Sequence, residues 1–218
     1  MSSFSIPLFP LSNVVLFPDC LAPLHIFEIR YRQMTEAALQ GERLIGMVTV
    51  RPDPREEMGG NPPIYAVGCA GVITDHQRLP DGRYNIVLRG MKRFRVESES
   101  APDCERMYRL ADVRWLDDPD GGSAHGRAGL RERVLGHLRR LARRSQGAEE
   151  VSLAELGEFN DGAFTHALCQ ALGLPPEQKQ GLLEAASLTE RLTQLEGLLA
   201  FHLASLDSSD PGGASTVH

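Results

Sequence analysis

Four prolines in the 29-residue opening Ile6–Met34, IPLFPLSNVVLFPDCLAPLHIFEIRYRQM, limit the fold more than any other feature of the chain. Pro7, Pro10, Pro18 and Pro23 each follow an apolar residue, Ile6, Phe9, Phe17 and Ala22. Proline lacks the amide donor of a strand ladder and pushes the residue before it toward extended backbone. The stretch therefore reads as short extended pieces that turn corners. Val14–Phe17 and Leu24–Phe27 are apolar enough to be buried strands. After them the period changes. Phe27, Tyr31, Met34 and Ala38 fall at i, i+4, i+7 and i+11, a helical spacing. Gln40-Gly41 offers a stop, with glycine free to take a positive φ.

The chain continues in the same β-rich manner. LIGMVTV at 44–50 is a short apolar strand, and RPDPREEMGGNPP at 51–63 has no period and reads as a long loop. IYAVGCAGVITD at 64–75 is a strand interrupted by Gly68 and Gly71, a pattern that marks bulges or bends. LPDGR at 79–83 is a turn, Tyr84–Arg89 the returning strand, and Gly90 a break. Arg93–Glu97 then alternates outward arginine with inward Phe94 and Val96. The last strand, 108–116, buries Leu110, Val113 and Trp115, with a bulge expected near Ala111-Asp112. Glycine-marked bends let a sheet curl and close, which removes exposed edges.

Two of these stretches carry a resemblance. PLFPLSNVVLFPDCLAPLHIFEIRYRQM resembles the opening of the Lon N-terminal domain family, in particular its stand-alone members that lack an ATPase. VGCAGVI (67–73), DGRYNI (81–86) and GMKRFRV (90–96) follow in the order seen in that family. The resemblance covers roughly residues 5 to 206. It implies a compact, barrel-like sheet of the PUA-like type and a substrate-recognition role.

DDPDGGSAHG at 117–126 is a composition shift and reads as a linker. Beyond it the periods are helical. Leu130, Val134, Leu138 and Leu141 mark one helix, and Glu149–Glu158 a weaker segment. Asn160 or Asp161 caps a helix through Phe164, Leu168 and Leu172. Pro176 opens a short helix, with Glu177 at its dipole-favoured end. Ser187–Glu190 is a capping box before a helix with Leu188, Leu192, Leu195, Leu199 and Leu206 on one face. The expected fold is α+β. A six-stranded curled sheet or pseudo-barrel with one inserted helix (1–116) precedes the linker, a helical bundle (127–206) and a disordered tail (207–218).

Composition narrows the function. The net charge of −6 argues against a general nucleic-acid binder, since such proteins carry a basic footprint. The cysteines Cys20, Cys69, Cys104 and Cys169 form no CxxC and suit a reducing compartment. Met1-Ser-Ser-Phe-Ser has no basic n-region and no apolar run reaches 18 residues, so a soluble cytoplasmic protein without membrane contact is expected. No cofactor or metal motif is found. The GxxxxGK[ST] phosphate loop is missing, and the Ser-Lys pair that the resemblance implies for a full Lon peptidase has no counterpart. Lys92 and Lys179 are the only lysines, and Lys92 sits within GMKRFRV.

The binding candidates are His25, Glu28, Arg30, Tyr31 and Arg93. His25 and Glu28 could form a His–carboxylate pair on a groove. The competing reading is a histidine bonded to backbone where strand meets helix. Arg131, Arg133, Arg139, Arg140, Arg143 and Arg144 form a basic helix that could attract RNA, or could be a solvated face balanced by 149–158. These residues allow three function classes. The first is a non-catalytic module for unfolded or partner polypeptide, an adaptor that could serve a separate protease. The second is a PUA-like RNA-binding module using helix 127–144. The third is an enzyme using His25 and Glu28, for which no nucleophile–base–orienter set exists. The first is preferred.

Overall fold

The computed structural model describes residues 4–52, 61–119, 124–144, 156 and 158–208. The chain is α+β. Its strands are β1 (Phe4–Leu11), β2 (Leu21–Ile26), β3 (Leu44–Thr49), β4 (Val67–Arg78), β5 (Tyr84–Ser100) and β6 (Leu110–Trp115). Helix α1 (Ile29–Gln40) lies between β2 and β3. After β6 come the helices α2 (Ala124–Arg144), α3 (Asp161–Ala171), α4 (Pro176–Glu184) and α5 (Leu188–Ser208). Contacts divide the chain into two compact units. One comprises residues 1–117 and 166–184, and the other 118–165 and 185–218.

In the first unit the sheet runs in the order β2-β5-β4-β3-β1-β6, and β5 also pairs with β6. The extra pairing closes the sheet on itself. It is possible because β5 is 17 residues long and serves two partners in succession. Its first part, Tyr84–Arg89, pairs with β2, and its later part, Phe94–Ser100, pairs with β6. Among these strands β1 and β3 pair in parallel, and the other pairs are antiparallel. Inside the closure, Ile6, Leu8, Val48, Ala70, Phe94, Ala111 and Val113 form a buried cluster.

Glycines make that closure possible by close approach rather than by special dihedrals. A Cβ on Gly68 would lie 2.4 Å from the Met47 carbonyl and 2.7 Å from the Phe94 ring, so the ring fills the place a side chain would take. The expected irregularity near Gly71 is present as a register shift between Ala70 and Gly71. Gly90 does not break the chain into two strands as expected. It stays within β5, because its missing side chain admits the Phe17 carbonyl, 2.1 Å from where a Cβ would stand.

Other local expectations are corrected. Val14–Phe17 is not a strand; Val15, Leu16 and Phe17 are buried in irregular backbone, and the first strand is Phe4–Leu11. Phe27 precedes α1 and is 61 % exposed, whereas Tyr31, Met34, Thr35 and Ala38 supply the buried face. Gly41 has φ −112°, and the positive φ is taken by Arg43 at 61°. The irregularity expected in β6 near Ala111-Asp112 sits on its partner, between Val96 and Ser98. Arg93 is buried rather than outward.

The helical expectations fare well. Asn160 caps α3 by accepting from the Ala163 amide at 2.8 Å. The Ser187 hydroxyl accepts from the Glu190 amide at 3.1 Å, while the Glu190 carboxylate reaches back to the Ala186 amide at 2.8 Å, one residue beyond an ideal box. Leu188, Leu192, Leu195 and Leu199 are buried, but Leu203 and not Leu206 continues the face. In the second unit α5 packs against α2. Arg191, fully buried, reaches the Asp118 carboxylate at 3.0 Å, a pairing that burial of a charge requires. The expected segment 149–158 and the tail from 209 fall largely or wholly outside the described residues.

Candidate functional site

The opening stretch builds a corner of the first unit. Among the described residues β2 hydrogen-bonds to β5 alone, and none of them forms a strand on its other edge. Pro23 suits that position, because an edge strand can lose one outward donor without cost to the ladder. Side chains alternate along β2: Ala22 and Ile26 are buried, and Leu21, Pro23 and His25 are exposed. The exposed run continues into the turn before α1. Leu21 is 58 %, Phe27 61 % and Ile29 65 % exposed, three large apolar side chains around one free edge.

His25 faces solvent on this corner. Its Nδ1 lies 2.7 Å from Asn85 Oδ1, and its Nε2 lies 3.3 Å from Arg83 Nη1. A guanidinium has no acceptor, so Nε2 must hold the lone pair and Nδ1 must donate to Asn85. Arg83 is in turn held by Asp81 at 2.6 Å, an exposed pair that draws the Asp81 carboxyl below its ordinary value through the hydrogen bonds from Arg83. The ring also stacks near Phe27, with centroids 6.3 Å apart. His25 therefore meets neither Glu28 nor a backbone group, and its basic nitrogen is already engaged. Together with Pro23, Asp75, Gln77 and Asn85 it lines a shallow groove of about 350 Å³ across β2, β5 and β4.

Glu28 turns the other way. It pairs with Arg30 at 2.8 Å, and its carbonyl accepts from the amides of Tyr31 and Arg32 at the start of α1. The Arg30 guanidinium lies over the Tyr31 ring, 4.5 Å from the centroid. Tyr31 itself is buried against Phe9, with centroids 4.6 Å apart, and burial raises its hydroxyl above the ordinary range. Glu28, Arg30 and Tyr31 thus fix the α1 entry that presents Phe27 and Ile29. Arg93 stands apart from them. It is 2 % exposed, and it donates to the carbonyls of Leu183 at 2.7 Å and Asp117 at 3.3 Å.

Sequence reasoning missed Leu21, Phe27 and Ile29 as surface groups. Helical spacing had assigned Phe27 to the buried face of α1. The available signal was the proline at Pro23, which marks β2 as an edge strand and its odd positions as outward. Nucleophilic chemistry has little support on this corner. Cys20 is half-buried, and burial with the nearby Asp19 pushes its thiol up to about 11, so it holds its proton at neutral pH. Among the described residues no cluster of His, Cys, Asp or Glu could hold a metal ion. No helix among them is long and apolar enough to cross a membrane.

Comparisons agree with this architecture. Residues 5–200 match the family model of the ATP-dependent protease La (LON) substrate-binding domain. The Lon protease of Trichlorobacter lovleyi is 28 % identical over 199 residues, covering 89 % of this chain and 24 % of that protein. The Lon protease of Cytophaga hutchinsonii is 26 % identical over 196 residues, again 89 % of this chain and 24 % of the relative. The chain thus spans about a quarter of the length of the curated relatives it matches. The N-terminal domain of the Mycobacterium avium complex Lon protease superposes with a TM-score of 0.69 at 19 % identity, covering 91 % of this chain and 100 % of that one. The Lon N-terminal domain protein from Xanthomonas campestris gives 0.62 at 24 % identity, covering 89 % and 98 %. At these identities the two structures share the fold. With the family model spanning most of its length, the chain belongs to the LON substrate-binding domain family.

Proposed function

We propose that this chain is a non-catalytic polypeptide-recognition module whose contact surface is the free edge of β2 and the apolar groups around it. One observation carries the reading: Leu21, Phe27 and Ile29 stand 58–65 % exposed beside a strand that, among the described residues, is bonded on one side only. An extended chain can add its backbone to such an edge and set alternate side chains against apolar neighbours. Most extended segments of folded proteins are already paired within their own sheets, so the ligand this edge favours is unfolded or partly unfolded polypeptide. Family membership supports the same reading. On it, the module acts as an adaptor that hands polypeptide to a separate protease in the cytoplasm.

The test is binding of β-casein, an unfolded probe, measured by fluorescence anisotropy. The double substitution Phe27→Ser and Ile29→Ser removes two exposed apolar groups worth about 1.5–3 kcal/mol each when fully buried. It is expected to weaken binding at least tenfold and leave thermal stability unchanged, since neither side chain is in the core. Unchanged affinity in the folded variant would sink the proposal.

A further inference from the structure

A second cleft lies where the ladder between β1 and β3 opens. Their parallel pairing runs from Leu8↔Gly46 to Leu11↔Thr49 and stops, although β1 extends back to Phe4 and β3 to Leu44. The cause is at Pro7. Leu11 offers its carbonyl to the Val50 amide, and Leu8 donates to the Arg109 carbonyl on the opposite side. Strand alternation therefore turns Ser5 and Pro7 toward β3. Pro7 has no amide to continue the ladder there. On β3, the Arg43 carbonyl accepts from Ile73 in β4, so Leu44 turns toward β1. The main-chain groups of Ser5 and Leu44 are left on facing sides of the opening, outside the ladder.

The opening is a cleft of about 290 Å³. Phe4, Leu44 and Tyr108 supply its apolar wall, and the C-terminal turn of α1 with Glu42 closes one end. That end is electronegative. The Gly41 amide, which a regular helix would direct at the Ala37 carbonyl, goes to Ala38 at 3.1 Å, and the Arg43 amide joins it there at 2.9 Å. The Ala37 carbonyl is thereby an orphan acceptor at the negative pole of the helix. Glu42 is exposed and has no ion pair among the described residues.

We infer that this cleft binds the free N-terminal ammonium of a polypeptide whose first side chain is apolar. An ammonium has three donors and needs acceptors around it; Glu42, Ala37 and Ser5 line the cleft and carry a carboxylate and main-chain carbonyls. The first side chain enters the space beside Phe4, Leu44 and Tyr108. The next peptide group meets the Leu44 carbonyl, which Pro7 leaves without its ladder donor. A volume near the lower limit of small-ligand sites, about 300 Å³, fits the end of a chain rather than its middle.

The experiment uses the full ¹⁵N-labelled chain and the probe leucyl-alanyl-serine amide, with Kd read from NMR titration. The amides of Ser5 and Leu44 are expected to shift. N-acetylation of the probe is expected to weaken binding about tenfold, the combined effect of an ion pair and a helix pole. Glu42→Gln, an exposed and structurally neutral change, is expected to weaken it about threefold. Phe27→Ser leaves it unchanged, which separates this cleft from the β2 edge. Equal binding of the acetylated probe, or equal binding of an acetylated probe carrying an internal lysine, overturns the inference. So does the absence of binding, or a shift confined to β2.

Discussion

One methyl group has opposite consequences at Gly68 and Gly197. At Gly68 the added carbon would meet backbone at 2.4 Å and the Phe94 ring at 2.7 Å, in a core with no slack. Gly68→Ala is expected to destabilise by about 3 kcal/mol, read from the urea midpoint. Gly197 lies on the exposed side of α5 with nothing within 4 Å of its would-be Cβ. Gly197→Ala is expected to stabilise by about 0.5–1 kcal/mol in the same assay. Arg93 makes a third case. Methionine there keeps the bulk but leaves the Leu183 and Asp117 carbonyls without their donor, at an expected cost of about 2–4 kcal/mol. The thiol of Cys20 adds a pH dependence. Its pKa is raised from 9.0 to about 11, so the folded state keeps a proton that the unfolded chain releases. Stability from this group is intact below pH 9 and is lost as pH rises toward 11; Cys20→Ala should flatten that limb of the curve. Arg93 shows why residue roles were hard to read in advance. Its alternation with Phe94 pointed outward, and only the carbonyls brought to it by distant segments made burial of a guanidinium affordable.

Elements were more legible than residues wherever the signal was local. Asn160, Pro176 and the Ser187–Glu190 pair announce helix starts through short-range hydrogen bonding or fixed φ, and each stands where expected. Ser187→Ala removes one such acceptor and is expected to cost about 1 kcal/mol, measured by thermal or urea unfolding. Strand limits were less legible. Gly90 reads as a break because glycine weakens strands in general, yet here a close carbonyl requires it inside one continuous β5. Val14–Phe17 is β-like in composition, but it is irregular chain whose apolar side chains are buried. The edge strand β2 was half legible: its proline and apolar content showed, but which side chains face solvent depended on its pairing with β5.

At the scale of the whole molecule, charge argues against a nucleic-acid role. The arginines of α2 are largely committed within their own unit. Arg127 and Arg131 pair with Asp161, Arg133 with Glu196, and Arg140 and Arg144 with Asp207. With a net charge of −6 and these cations each in an ion pair, single-stranded RNA is expected to show no retention at 50 mM salt, assayed by gel shift; retention that falls steeply with salt would favour the RNA-binding alternative. The sequence alone determined what depends on near neighbours: the α+β class, the turn at 79–83, the helix caps, and the family resemblance carried by the opening and by residues 67–96. Tertiary structure decided what depends on distant partners. It set which strand of the sheet keeps a free edge, why Phe27 is exposed, why Arg93 is buried, and where Pro7 opens a cleft between β1 and β3. The physical reason is range. Caps and turns are satisfied within a few residues, whereas burial and edge exposure are set by segments brought together from far along the chain, such as Asn85 at His25, 60 positions away, and Gln170 at Phe17, 153 positions away.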